Sequence, residues 1–136
     1  MQTLYVLQGV PGSGKSTLAK IIQNNSPNVK ICSTDDFHME NGEYKFKPKL
    51  LSTYHDLNLQ QAINLLDNKF TVIVDNTNIL RKHARPYAEF ASKQNIPIVF
   101  IRVSGEFKNI HGVPEDKIKM MKSSMEDLDL NSVLNS

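Results

Sequence analysis

The run Gly9-Val10-Pro11-Gly12-Ser13-Gly14-Lys15-Ser16-Thr17 constrains this chain more than any other stretch, because it satisfies G-x-x-x-x-G-K-[ST] at every position. An apolar run, Thr3 to Gln8, precedes it and reads as a buried strand. A helical pattern follows, with Leu18, Ala19, Ile21 and Ile22 inward, until Asn24-Asn25-Ser26-Pro27 stops it. A strand that turns through glycines into a helix aims successive backbone N–H groups at one point, beside the positive end of the helix dipole. That arrangement grips phosphate oxygens. Gly12, Ser13, Gly14, Lys15, Ser16 and Thr17 are therefore the expected nucleotide-binding residues. Lys15 would reach the β- and γ-phosphates of ATP, and the Ser16 hydroxyl would ligate Mg²⁺. An ordinary glycine turn is the plainer alternative, and the flanking strand and helix argue against it.

Further along, Val29–Ser33, Phe70–Val74 and Pro97–Val103 read as strands. Leu59, Ala62, Ile63 and Leu66 share one helical face, and Ala84, Tyr87, Ala88 and Ala91 repeat that spacing. Pro86 lies inside the second pattern and is assigned to its first turn, where a missing N–H costs least. Ile118, Met121, Met125 and Leu128 mark a last helix opened by Pro114. Alternating strands and helices imply a three-layer α/β P-loop NTPase fold, its mostly parallel sheet of about four to five strands flanked by helices. The 136 residues show no repeat or linker and read as a single domain, 1–136.

In such a sheet, ligands sit outside the carboxyl ends of the strands. Ser33-Thr34-Asp35-Asp36 follows the second strand, so a carboxylate there would lie beside the phosphate loop and take the proton of an attacking hydroxyl. Asp35 is the better candidate for that base, with Asp36 capping the turn or holding a neighbouring group; a pair of aspartates is equally at home in a helix cap. Asp75 closes the third strand and resembles a Walker B acid on Mg²⁺, while Asn76, Thr77 and Asn78 would face the same crevice or simply make a turn. His55 and Asn58 are weaker candidates for the acceptor side. Residues 38–49 interleave lysines with Tyr44 and Phe46, which suits a single-stranded nucleic-acid end or a solvated loop with its rings on the core. Lys117, Lys119 and Lys122 read as the wet face of the last helix.

Charge decides less. Sixteen basic against fourteen acidic residues, net +2, neither demand nor exclude nucleic acid. No apolar run is long enough to span a bilayer, and Met1 to Val6 lack the marks of a signal peptide. The lone cysteine, Cys32, reads as a small apolar residue at a strand end and suits a reducing compartment, so a cytoplasmic location is expected.

Gly9–Thr17, Ser33–Asp36, Asp75–Asn78 and His111-Gly112-Val113-Pro114, in order from about Leu4 to Leu128, resemble the kinase domain of bacteriophage 5′-hydroxyl polynucleotide kinases and related P-loop kinase domains. The resemblance implies Asp35 as general base on a 5′-hydroxyl, Lys15 and Ser16 on ATP and magnesium, Asn76-Thr77-Asn78 along the acceptor, and Val113 against the adenine ring. It also implies a tunnel-like site for a single-stranded end. Family members carry lid arginines before the adenine-contacting stretch, whereas residues 104–110 here contain none. Lys108 is then the expected catalytic cation, with His111 beside it and Arg81 or Arg85 reaching in from the opposite helix. No Asp-x-Asp-Gly-Thr phosphatase motif follows. Two other readings stay open: a kinase for a small-molecule or nucleotide-sugar hydroxyl, and a nucleotide-binding module that transfers nothing.

Overall fold

Short β-branched runs build the centre of the molecule, and amphipathic helices cover both of its faces. The computed structural model describes residues 1–107 and 112–136. Along the chain run β1 (Leu4–Gln8), α1 (Lys15–Asn24), β2 (Val29–Cys32), the short strands β3 (Met39–Glu40) and β4 (Glu43–Tyr44), α2 (Leu51–Asp67), β5 (Thr71–Val74), α3 (Arg81–Lys93), β6 (Ile98–Arg102), α4 (Glu115–Ser124) and α5 (Leu130–Leu134). The main sheet has the order β2-β5-β1-β6, parallel throughout, which is the expected three-layer α/β architecture with four strands. Leu4 pairs with Val72 on one side and Ile98 on the other, so β1 is central.

Alternation along each strand sorts the core into two layers. Leu4, Val6, Val72 and Val74 pack with Ala62 and Leu66 of α2, Ala84, Tyr87, Ala88 and Ala91 of α3, and Val133 of α5. Leu7 and Ile73 face the other way, onto Ala19 of α1 with Val29. Each fully buried leucine or valine contributes about 1.5–3 kcal/mol. Cys32 is buried at the end of β2, and burial pushes its thiol up to about 12. No helix among the described residues is long and apolar enough to cross a membrane.

Three details depart from the sequence expectations. Pro86 sits in the second turn of α3, not the first, because the helix already begins at Arg81. The carbonyl left without a donor belongs to Lys82, on the exposed side, where water can satisfy it. Met125 and Leu128 lie beyond the last long helix, which stops at Ser124. There the chain is pulled away: Glu126 N donates to Ile79 O at 2.9 Å, and Arg81 N donates to Glu126 Oε1 at 2.8 Å, capping α3. A separate helix, α5, then starts where Asp129 accepts from Ser132 N. Finally, residues 39–44 form a two-stranded hairpin about Asn41-Gly42, both with positive φ, which the aromatic–lysine pattern alone did not suggest.

Candidate active site

The glycine loop meets α1 in the left-handed conformation that glycine tolerates best: φ is 84° at Gly12 and 101° at Gly14, the N-cap. No side chain caps the helix, so its first N–H groups are left for a ligand. Lys15 Nζ donates to Val10 O at 3.2 Å, folding the ammonium over the loop. The chain beyond β6 closes on the same loop. Phe107 N donates to Gly12 O at 2.8 Å, and a Cβ at Gly105 would lie 2.6 Å from Ser13 O. Gly105→Ala therefore has to displace phosphate-loop backbone, and we expect it to weaken Mg·ATP binding about tenfold, read by calorimetry.

Asp75, at the carboxyl end of β5, accepts a hydrogen bond from Ser16 Oγ at 3.0 Å on Oδ2, while its buried Oδ1 has no partner. Burial pushes the Asp75 carboxyl up to about 6, against the opposing pull of the Ser16 hydroxyl and the Lys15 ammonium; Asp35 and Asp36 push it further up. Burial likewise lowers Lys15, despite attraction to Asp75 and Asp35. Desolvation thus exceeds mutual attraction for both partners, which leaves the pair poised to gain from a ligand of mixed charge. The donors fit magnesium: a hydroxyl and an orphaned carboxylate oxygen are hard ligands, and Mg²⁺ is ordinarily held by one or two such groups plus phosphates and water. No cluster of three metal-binding side chains occurs among the described residues. Because the folded pKa is raised, the metal-free protein binds a proton more tightly than its unfolded chain. This stability is fully present below about pH 4 and is lost as pH rises through about 6. Asp75→Asn should accordingly stabilise the protein in EDTA at pH 7.5 by about 2–3 kcal/mol, with the gain vanishing near pH 4, as urea melts would show.

A cavity of about 420 Å³ opens between the phosphate loop and the 44–55 region, and its walls include Lys15, Ser16, Asp75, Asp35, Tyr44 and His55. Asp35 is carried on a 3-10 turn, Thr34–His38, capped by Ser33, whose Oγ accepts from Asp35 N at 3.3 Å. The cap is therefore a serine, leaving the Asp35 carboxylate to the cavity. Tyr44 shares a side-chain hydrogen bond with Asp35, and burial first, then this carboxylate, raises its phenol to about 12. His38, buried, accepts from Lys47 N on Nδ1 and touches the rings of Tyr44, Phe46 and Tyr54, fixing this wall. Partial burial lowers His55, despite nearby Asp56 and Asp35, where it lines the cavity.

The other candidates divide. Gly12, Gly14, Thr17, Asn76, Thr77 and Val113 line the cavity. Asn76 Oδ1 also accepts from Thr34 N and Oγ1 at 2.9 and 3.0 Å, tying the ends of β5 and β2 together. Asn78 is buried away from the cavity, its Nδ2 donating to Leu7 O at 2.6 Å, and Ser13 is buried within the loop. Asp36 is largely exposed and not on the cavity wall; partial loss of water around its carboxyl and then Asp35 raise it, and Lys20 opposes them. Asn58 is enclosed in the core, donating to the Tyr87 hydroxyl at 2.9 Å. Arg81 and Arg85 do not reach in: Arg81 Nε donates to Asp127 O, and Arg85 pairs with Glu89. Lys108 and His111 lie outside the described residues.

Phe46, Phe107 and Lys117 also line the cavity. Lys117, Lys119 and Lys122 are all exposed, as the sequence pattern predicts for that helix face; Lys117 in addition borders the cavity, while Lys122 pairs with Glu106 at 3.6 Å. Asn41-Gly42 was the signal that could have placed Tyr44 and Phe46, because a tight hairpin folds them back toward Asp35.

Residues 4–106 match a family model described as an AAA domain. NEDD4-binding protein 2 of Homo sapiens is 36% identical over 128 residues, 87% of this chain and 7% of that protein. The 2′,3′-cyclic-nucleotide 3′-phosphodiesterase of Pongo abelii is 27% identical over 142 residues, 92% of this chain and 32% of that protein. A chain in the solved structure of the Pnkp1/Rnl/Hen1 complex superposes with a TM-score of 0.62 at 27% identity, over 88% of this chain and 38% of that one. This chain thus spans less than two-fifths of each of these relatives.

Proposed function

This chain belongs to the AAA domain family, and from that premise we propose that residues 1–136 form one P-loop kinase domain transferring the γ-phosphate of ATP to the 5′-hydroxyl of a polynucleotide. The observation that carries the reading is the shared cavity: phosphate-loop residues Lys15 and Ser16 and the carboxylate of Asp35 line the same space. A module that only binds nucleotide has no use for a carboxylate opposite the phosphates. Likeness to a chain of the Pnkp1/Rnl/Hen1 complex, an RNA repair complex, supports a nucleic-acid acceptor. So do the rings of Tyr44 and Phe46 on the cavity wall, since an aromatic face stacks a nucleobase of any sequence.

In this mechanism the open N–H groups of α1 and the Lys15 ammonium hold the phosphates. Ser16 and Asp75 would hold Mg²⁺, which would supply positive charge to the phosphates. Val113, on the cavity wall, would lie against the adenine. Asn76, Thr77 and His55 line the acceptor side. Asp35, oriented by Tyr44, takes the acceptor's proton as the new O–P bond forms and the β–γ bridging bond breaks, releasing ADP. Positioning and electrostatics supply most of the rate.

The test is transfer from γ-labelled ATP to 5′-hydroxyl DNA and RNA oligonucleotides beside nucleosides and sugars. Label on the oligonucleotides is the expected result. Label on a sugar alone would move the acceptor to small molecules, and ADP release indifferent to every acceptor would leave a nucleotide-binding module.

A further inference from the structure

Phosphoryl transfer in a site of this kind needs positive charge on the migrating group beyond the phosphate-loop lysine. The stretch 104–111 offers no arginine, and the three arginines of the chain are committed elsewhere. Arg81 and Arg102 engage Asp127 and its neighbour Glu126, and Arg85 pairs with Glu89. Among the described residues lining the cavity, the ammonium groups are those of Lys15 and Lys117. Lys117 lies in the first turn of α4, close behind the cavity residue Val113. Its Nζ stands 5.8 Å from the centroid of the Phe46 ring, which also lines the cavity, and it makes no ion pair with a carboxylate of the described residues. Lys15 is thus the fixed charge of the site, and Lys117 is a mobile-stemmed charge held by a ring.

Resting on the kinase reading above, we propose that Lys117 is a cation that meets the transferring phosphoryl group, and that Phe46 holds it back until the site is loaded. The physics of exchange favours this direction. An ammonium on an exposed ring face is weakly bound, whereas a multiply charged phosphoryl group in a site emptied of water attracts it strongly. Lys117 keeps all its protons and forms no bond. The acceptor's proton goes to Asp35, and the bridging oxygen leaves with ADP. Lys117 therefore acts only on the charge distribution of the transition state, and its removal should appear in kcat rather than in nucleotide affinity.

The experiment uses Lys117→Met, which keeps the stem and removes the charge, Lys117→Arg, and Phe46→Leu, each checked for an unchanged melting curve. Two readouts are taken: kcat for labelled transfer to a 5′-hydroxyl oligonucleotide, and the gain in ADP·Mg affinity on adding aluminium fluoride, which mimics the migrating group and needs no acceptor. Lys117→Met is expected to lose about 100-fold in kcat and most of the fluoroaluminate gain, with ADP affinity within about twofold, while Lys117→Arg keeps both within about tenfold. Phe46→Leu, with its ammonium released, is expected to raise acceptor-independent ATP hydrolysis severalfold. A Lys117→Met protein with wild-type kcat and a wild-type fluoroaluminate gain overturns the role of Lys117, as does a wild-type protein that gains nothing from fluoroaluminate. Unchanged hydrolysis in Phe46→Leu overturns the role of the ring. Should no acceptor be labelled, the polynucleotide reading fails by itself, and the fluoroaluminate gain still decides Lys117.

Discussion

Asp35→Asn should slow transfer to a 5′-hydroxyl end by about 10²- to 10⁴-fold while ATP affinity stays within a few-fold. The amide keeps the size of the carboxylate, can still meet the Tyr44 hydroxyl, and leaves the Ser33 cap untouched. What it loses is the capacity to accept the proton that the attacking oxygen must shed. Stability should hardly change, because the residue sits on the cavity wall and not in the core. The contrast with a structural defect is therefore sharp: turnover collapses, melting temperature and nucleotide binding do not. A variant turning over within threefold of wild type would remove Asp35 from the chemistry.

The second large effect is expected at Lys15. Lys15→Met should abolish about 10³-fold or more of turnover, and unlike Asp35→Asn it should also weaken ATP. Burial already disfavours the Lys15 charge, so the metal-free protein bears a desolvated ammonium that phosphates would relieve. Replacing it with an apolar chain removes that burden. The variant should consequently melt no lower than wild type without ligand, yet gain less on adding Mg·ATP. Thermal melts with and without nucleotide separate these contributions. A Lys15→Met protein shifted upward by nucleotide as far as wild type would contradict the assignment.

How far the sequence discloses such a site depends on whether the decisive geometry is local. The phosphate loop is local: one strand, two glycines with positive φ and one helix start fix it, so residues 4–24 can be read directly. The strand ends at Cys32 and Val74 are nearly so, since parallel pairing brings them level, with Asp75 N donating to Cys32 O at 2.9 Å. Asn78 and Arg81 were harder, because polar residues after a strand look alike whether they face a crevice or tie the framework together. Asn78 secures Leu7 O, and Arg81 holds the C-terminal segment. Lys117 was illegible for another reason. Nothing in its neighbours' spacing separates it from Lys119 and Lys122; only its approach to Phe46 at the cavity sets it apart. The early end of α4 came likewise from distant contacts, Glu126 with Ile79 and Arg81, which override a helical pattern running through Leu128.

The central position of β1 has a consequence for how the protein is made. Its two neighbours in the sheet are β5 and β6, which leave the ribosome some 70 and 95 residues after it. The strand feeding the phosphate loop must therefore wait, unpaired and rich in leucine and valine, until those two strands emerge. Pauses in translation between β1 and β6, or a chaperone that shelters residues 4–8 meanwhile, should influence yield more than any change on the finished surface.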